Sequence, residues 1–201
     1  MYQLAHYVIN HCPCFWSIVE FFNEKLFLVC YGRRLKHLGN CLENYQGEYL
    51  IKEATLEDAP SMVAFFTKQP KESYTYFHPH GFDEKSIKQL VKRKSHLLYL
   101  VLDSDSVIVG YFFLRCFFIG KCFLGKMVDH DHQSKGIGQT MCLSAMNITT
   151  SLKMRMFETI SKDNLSSLYS TQKVLDTKII KEMDNNYIYI EDFPKGTLKS
   201  T

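Results

Sequence analysis

Apolar and polar positions divide the chain into a dense apolar start and a long, regular remainder. Residues 1–46 hold two apolar runs, Cys14–Phe22 and Leu26–Tyr31, separated by Asn23, Glu24 and Lys25 and broken once by Glu20. Neither run approaches the roughly 18–20 uninterrupted apolar residues that a membrane span requires. Arg33, Arg34, Lys36 and His37 follow directly as a basic cluster. The pattern predicts an apolar helical extension over residues 1–47. Two readings of it compete: packing on the main domain or on a second copy in a homodimer, and peripheral membrane contact with a basic edge at the headgroups. Gly39-Asn40 and Gln46-Gly47 read as linker punctuation.

From residue 48 the periodicity becomes regular. Tyr49–Ile51 reads as a strand. Thr55-Leu56-Glu57-Asp58 fits a capping box before the helical spacing of Met62, Val63, Phe65 and Phe66, with Pro60 in the first turn. Asp83–Lys92 carries Ile87, Leu90 and Val91 at helical spacing. Leu97–Leu102 and Val107–Phe118 are β-rich runs around the turn Asp103–Ser106, a hairpin, and Cys122–Val128 is a further strand. Gly136–Thr149 reads as a helix, with Ile137, Met141, Ala145 and Ile148 on one stripe. Met154–Thr159 reads as a strand, Asn164–Lys173 as a helix, and Thr177–Glu182 and Tyr187–Glu191 as two closing strands. The order β-α-α-β-β-β-α-β-α-β-β predicts an α+β (α/β layered) domain on a mixed sheet, over residues 48–195, with 196–201 as a tail.

Composition narrows the function classes. Hydrophobic residues make up 46% of the 201 residues, charged ones 22% and aromatic ones 14%, which is globular rather than disordered. A net charge of +3 is too small to imply a nucleic-acid partner by field alone. The 7 cysteines are odd in number and irregularly spaced, and Met1 opens no signal-peptide pattern, so free thiols in a reducing cytoplasm are expected. Cys12-Pro13-Cys14 has no second ligand pair at a useful spacing, and no metal is expected.

The segment Val128-Asp129-His130-Asp131-His132-Gln133-Ser134-Lys135-Gly136-Ile137-Gly138-Gln139 carries the chemistry. A strand runs into a polar loop and then into a helix whose opening turn holds two glycines. Amides at such a helix start lack intrahelical partners and can point at phosphate oxygens, with Lys135 adding charge. It is not a Walker loop, since the Gly-to-Gly-Lys-Ser/Thr frame is absent, and the three-glycine dinucleotide fingerprint is missing too.

The segment resembles the GCN5-related N-acetyltransferase (GNAT) family. That family's acetyl-CoA motif, Gln/Arg-x-x-Gly-x-Gly/Ala after a central strand, is matched by Gln133, Gly136 and Gly138, and the element order over residues 48–191 is the family's. The resemblance implies a mixed, mostly antiparallel sheet flanked by helices, and acetyl-CoA as co-substrate. It implies that the backbone of Met127 and Val128 pairs with the pantetheine arm where two strands splay apart. Amides of Gln133, Ser134, Lys135, Gly136, Ile137, Gly138 and Gln139 would hold the pyrophosphate, and Asn164 would contact the pantetheine. The family often places a Tyr seven residues after this Asn as general acid to the CoA thiolate. Here Thr171 stands at that position and Tyr169 two residues earlier, so the acid is one of the two, with phenolic acidity pointing to Tyr169. The Gly-Phe that frequently ends this helix is replaced by Leu175-Asp176.

The acceptor side is less legible. Tyr74-Thr75-Tyr76-Phe77-His78-Pro79-His80-Gly81-Phe82 lies between the first two helices, where the family commonly builds its acceptor pocket. His78 or His80 could supply a base beside an aromatic wall, or the loop could simply pack. Asp129, His130 and Glu158 are further base candidates. The expected activity is direct acetyl transfer from acetyl-CoA to the amine of a small molecule, an amino sugar being one such acceptor. The alternatives are a protein N-terminal or lysine acceptor, and a non-catalytic acyl-CoA-binding module.

Overall fold

A computed structural model describes residues 13–38 and 49–198. The linker residues 39–40 and 46–47, Cys12, and the end of the tail lie outside the described residues.

The apolar start forms one helix, α1 (Pro13–Leu35). The polar residues that seemed to divide it are the ones that hold it to the domain. Glu20 pairs with Arg93 and Arg115. Asn23 donates to the Cys116 carbonyl (3.0 Å) and accepts from the Phe118 amide (3.1 Å), and Glu24 accepts from the Lys94 amide (2.9 Å). Phe27 and Tyr31 add a narrow buried stripe, while Ile18, Phe21, Phe22 and Val29 remain exposed. Polar groups therefore make much of the inward contact and several large apolar side chains face outward, unlike an ordinary surface helix. No described helix is long and apolar enough to cross a membrane.

The remainder runs β1 (Leu50–Glu53), α2 (Ala59–Lys68), α3 (Glu84–Lys92), β2 (His96–Leu102), β3 (Ile108–Phe117), β4 (Lys121–Val128), α4 (Ile137–Leu152), β5 (Arg155–Ser161), α5 (Leu165–Val174), β6 (Leu175–Glu182) and β7 (Tyr187–Pro194). Asp58 begins α2: its carboxylate accepts from the Thr55 amide (2.8 Å) and hydroxyl (2.9 Å), and Pro60 falls within the first turn, where its missing N–H costs nothing. Asp83 caps α3 by accepting from the Ser86 amide (3.0 Å).

The seven strands form one sheet in the order β1-β2-β3-β4-β5-β7-β6, antiparallel except for the β4–β5 pair. Helices cover both faces. On one, Phe112, Leu114, Cys122 and Leu124 pack under α1 and the buried stripe Ile137, Met141, Ala145 and Ile148 of α4. On the other, Leu98, Leu100, Tyr111 and Met127 pack under Phe65 and Phe66 of α2 and Ile87 of α3. The α+β layered architecture on a mixed sheet is the one the element order predicts, and its mostly antiparallel pairing is the one the family resemblance implies.

Candidate active site

The parallel seam is short. β4 and β5 pair only at Lys121 with Arg155, Cys122 with Met156, and Phe123 with Phe157. Beyond these, β4 continues to Val128 along β3, and β5 continues to Ser161 along β7. The two strands thus part, and the later residues of each border an opening in the middle of the sheet. Along β4 the backbone groups alternate sides: those of Met127 turn to Tyr111 of β3, while those of Val128 turn to the opening, where no described strand pairs with them.

The loop that leads from β4 to α4 closes the wide end of this opening. Asp129 is buried, ion-paired with Lys68 of α2, and accepts from the Asp131 amide (3.0 Å). Burial opposes its charge, but Lys68 and that amide outweigh it and hold the carboxyl below its ordinary value. Gln69 accepts from the His130 amide (2.9 Å), tying the end of α2 to the same turn. The chain then passes through two left-handed residues, Ser134 (φ 62°) and Gly136 (φ 83°). This alternation bends the backbone into a concave row of N–H groups. The amides of Ser134, Lys135, Gly136, Ile137 and Gly138 find no acceptor among the described residues. Free N–H groups in such a row at the start of α4 are of the kind that suits an anion.

The two glycines of the motif differ in conformation. Gly136 needs its positive φ and has open space where a side chain would stand. At Gly138 φ is not left-handed, and a Cβ would meet Ser170 of α5 at 3.4 Å, an ordinary packing contact. Asn164 caps α5 through its carbonyl oxygen, which accepts from the Ser167 amide (3.2 Å).

On the α4–α5 face the opening is bridged by a buried ionic cluster. The Lys126 ammonium donates to Glu158 of β5 (2.5 Å) and to the Thr171 hydroxyl of α5 (2.8 Å). Thr171 is fully buried and its hydroxyl lies 3.0 Å from the other Glu158 oxygen. Cys142 of α4 lies 3.6 Å from the Thr171 hydroxyl. Asp192 of β7 completes the group, with no hydrogen-bond donor to either carboxyl oxygen among the described residues. Burial and the neighbouring Glu158 push its carboxyl up to about 8, so at neutral pH it is largely the protonated acid, able to donate to Glu158. Tyr169 points the other way: it is 65% exposed, with Lys173 over its ring. The position facing the opening is Thr171.

On the opposite face, His80 is set in an aromatic box. Its ring lies 5.1 Å from Phe82, 5.8 Å from Tyr111, 5.9 Å from Phe66 and 6.0 Å from Phe113. Burial lowers its pKa. The neutral ring donates from Nδ1 to the Gly81 carbonyl (2.8 Å) and accepts at Nε2 from the Tyr111 hydroxyl (3.0 Å). His78 is exposed beside Tyr74 and does not join the box. Phe113 occupies the space above Gly125 of β4, where any side chain would collide with its ring. The box therefore abuts the same stretch of β4 that borders the opening.

Glu158 joins the Met127–Gly138 stretch at the opening, while Asp129 stands behind the loop as an anchor and His78 and Tyr169 stand outside. Sequence reasoning passed over Lys126, Cys142 and Asp192. The usable signal was phase: Lys126 alternates with Cys122 and Leu124 on a core-facing side, where an unpaired charge would be prohibitive.

No protein-family model matches the chain, and no curated protein matches it. Solved structures do. The GNAT domain of PAT from S. lividans superposes with a TM-score of 0.61 at 11% identity, covering 71% of this chain and 89% of that one. Ribosomal-protein-S5-alanine acetyltransferase from Vibrio fischeri gives 0.60 at 14% identity over 77% and 97% of the two chains. PaiA N-acetyltransferase from Thermoplasma acidophilum, solved in complex with coenzyme A, gives 0.59 at 14% over 72% and 98%. Identities this low speak to architecture alone, and the parted β4–β5 seam followed by the amide-lined turn is in keeping with it. The chain has the GCN5-related N-acetyltransferase fold.

Proposed function

We propose that residues 48–195 form an acetyl-CoA-dependent N-acetyltransferase acting in the cytoplasm on the amine of a small molecule, amino sugars being the first class to screen. The observation that carries this reading is the coincidence of two features: strands that part after Phe123 and Phe157, and a turn of unpaired amides at the open end. The amides of Ser134 to Gly138 would hold the pyrophosphate, flanked by Gln133 and Gln139, with Lys135 adding charge. The free backbone groups of Val128, next to Met127, would pair with the pantetheine arm, and Asn164 would stand near it at the start of α5. Acetyl-CoA supplies the activated acyl group. Backbone N–H groups on β4 stabilise its carbonyl oxygen as negative charge grows. His80 is the base candidate nearest the aromatic wall, and an acceptor amine would have to displace the Tyr111 hydroxyl from Nε2. Glu158 and Asp129 are already committed to ion pairs.

Titration calorimetry with acetyl-CoA, followed by a free-thiol assay over a panel of amines, tests the reading. Saturable binding and amine-dependent thiol release are expected; no binding refutes it. Binding without release by any amine would favour an acyl-CoA-binding module, for which one observation speaks: the residue facing the opening is Thr171, whose hydroxyl is already hydrogen-bonded within the cluster. A protein N-terminus or lysine is the alternative acceptor. The exposed apolar side of α1 is the surface through which a homodimer or a peripheral membrane contact would form.

A further inference from the structure

We propose that Lys126 is a catalytic residue of this site: its ammonium stabilises the coenzyme A thiolate as the thioester C–S bond breaks. The inference rests on the acetyl-CoA reading above and adds a role that the loop motif does not contain.

The placement is topological first. If the pyrophosphate sits on the turn after Val128, an arm paired along β4 runs back from Val128 through Met127, so its sulfur end lies beside Lys126. Lys126 stands past Phe123, the last β4 residue paired with β5, and Glu158 stands just past Phe157 on the other side. Their ion pair spans the opening. Lys126 is thereby the cation at the depth where the thiolate is generated.

The surroundings keep it charged. From β5 it is faced by Glu158, from β7 by Asp192, from α4 by Cys142, and from α5 by Thr171. Burial penalises the ammonium, but the Glu158 carboxylate bonded to it offsets this, and its pKa is raised above the ordinary lysine value. An ordinary thiol titrates near 8.5. The proton therefore stays on Lys126. The C–S electron pair goes to sulfur and is held there as a thiolate beside the ammonium. The acceptor nitrogen forms the new C–N bond, and its proton leaves through the base. The thiolate is protonated by solvent as the product departs. A neutral Asp192 fits this arrangement, since Glu158 then remains the single countercharge and Lys126 is not neutralised twice over.

The test reads the thiol itself, using coenzyme A labelled with 13C at the carbon bearing sulfur. Its chemical shift in the complex, followed against pH, gives the thiol pKa when bound. In the unmodified protein it should fall at least one unit below that of free coenzyme A, a tenfold shift toward thiolate. In Lys126→Met it should return to the free value or above, and Lys126→Arg should restore most of the depression. A Lys126→Met complex that titrates as the unmodified one does would overturn the role. A second measurement does not depend on any variant folding. The affinity of the unmodified protein for coenzyme A relative to desulfo-coenzyme A should rise about tenfold between pH 6.5 and 9. A flat ratio overturns the thiolate role while leaving the acetyl-CoA reading intact. Failure to bind either compound overturns the reading and the role together.

Discussion

Asp192 makes the clearest demand on stability. Its carboxyl titrates at about 8 in the fold against 3.8 unperturbed, because it is buried beside Glu158. Between those values the native state holds a proton that the unfolded chain has released, so raising the pH favours unfolding. The stability tied to this proton is fully present below pH 4 and is lost progressively as pH rises toward 8. About four units at roughly 1.36 kcal/mol each set a ceiling of about 5–6 kcal/mol. Relaxation and water entry around the ionised carboxylate reduce this, and we expect about half of it in practice. Asp192→Asn keeps the shape and a donor toward Glu158 but removes the titration. Urea unfolding from pH 4.5 to 9 should therefore give two profiles close together at the acid end. They should separate steadily, with the variant more stable by about 3 kcal/mol at pH 9. Parallel profiles, or a variant that loses ground as pH rises, would refute the argument.

Gly136→Ala should cost about 1–2 kcal/mol in unfolding free energy through its left-handed φ, and should weaken acetyl-CoA binding measured by calorimetry. Gly125→Ala pushes a methyl into the Phe113 ring, so a loss of about 1–3 kcal/mol and a changed near-ultraviolet dichroism of the aromatic box are expected. Once an amine acceptor is found, Thr171→Val should lower turnover more than Tyr169→Phe does, with acetyl-CoA affinity retained in both. Thr171 acts here by holding Lys126 and Glu158 in place, and the reverse order would instead make Tyr169 an acid to the thiolate.

Strand and helix identities were legible because their periods are strong and two starts carry side-chain caps, Asp83 and Asn164, while Asp58 closes a box with Thr55 just before α2. The end of α4 was not. It runs past Thr149 to Leu152 and stops on Lys153, which takes the left-handed cap (φ 58°) that glycine usually supplies. The loop motif was legible as chemistry, yet the left-handed Ser134 beside Gly136 could not be read from residue type. Nor could it be read that only Gly136 of the two glycines takes a left-handed φ. The α1 helix misled for a related reason. Glu20, Asn23 and Glu24 interrupt an apolar run only until their partners on β3 and after α3 are known. Lys126 and Asp192 likewise become meaningful only when β4, β5 and β7 are side by side.

The short parallel seam also bears on how the chain acquires its structure. β1 to β4 pair in a continuous run of antiparallel neighbours, with β2, β3 and β4 joined by tight turns, and β5 to β7 form a second antiparallel set. The two sets meet through three residue pairs and the crossover of α4. Loop closure across that crossover is paid only after each set can form from nearer contacts. The topology predicts a sheet that assembles as two plates with a late-closing joint, so substitutions at Cys122 or Met156 should raise the unfolding rate with little effect on refolding, whereas those at Leu98 or Phe112 should slow refolding. Stopped-flow chevrons of conservative truncations at the four positions would show it. The breach that receives a ligand would then be bounded by the last contacts to assemble.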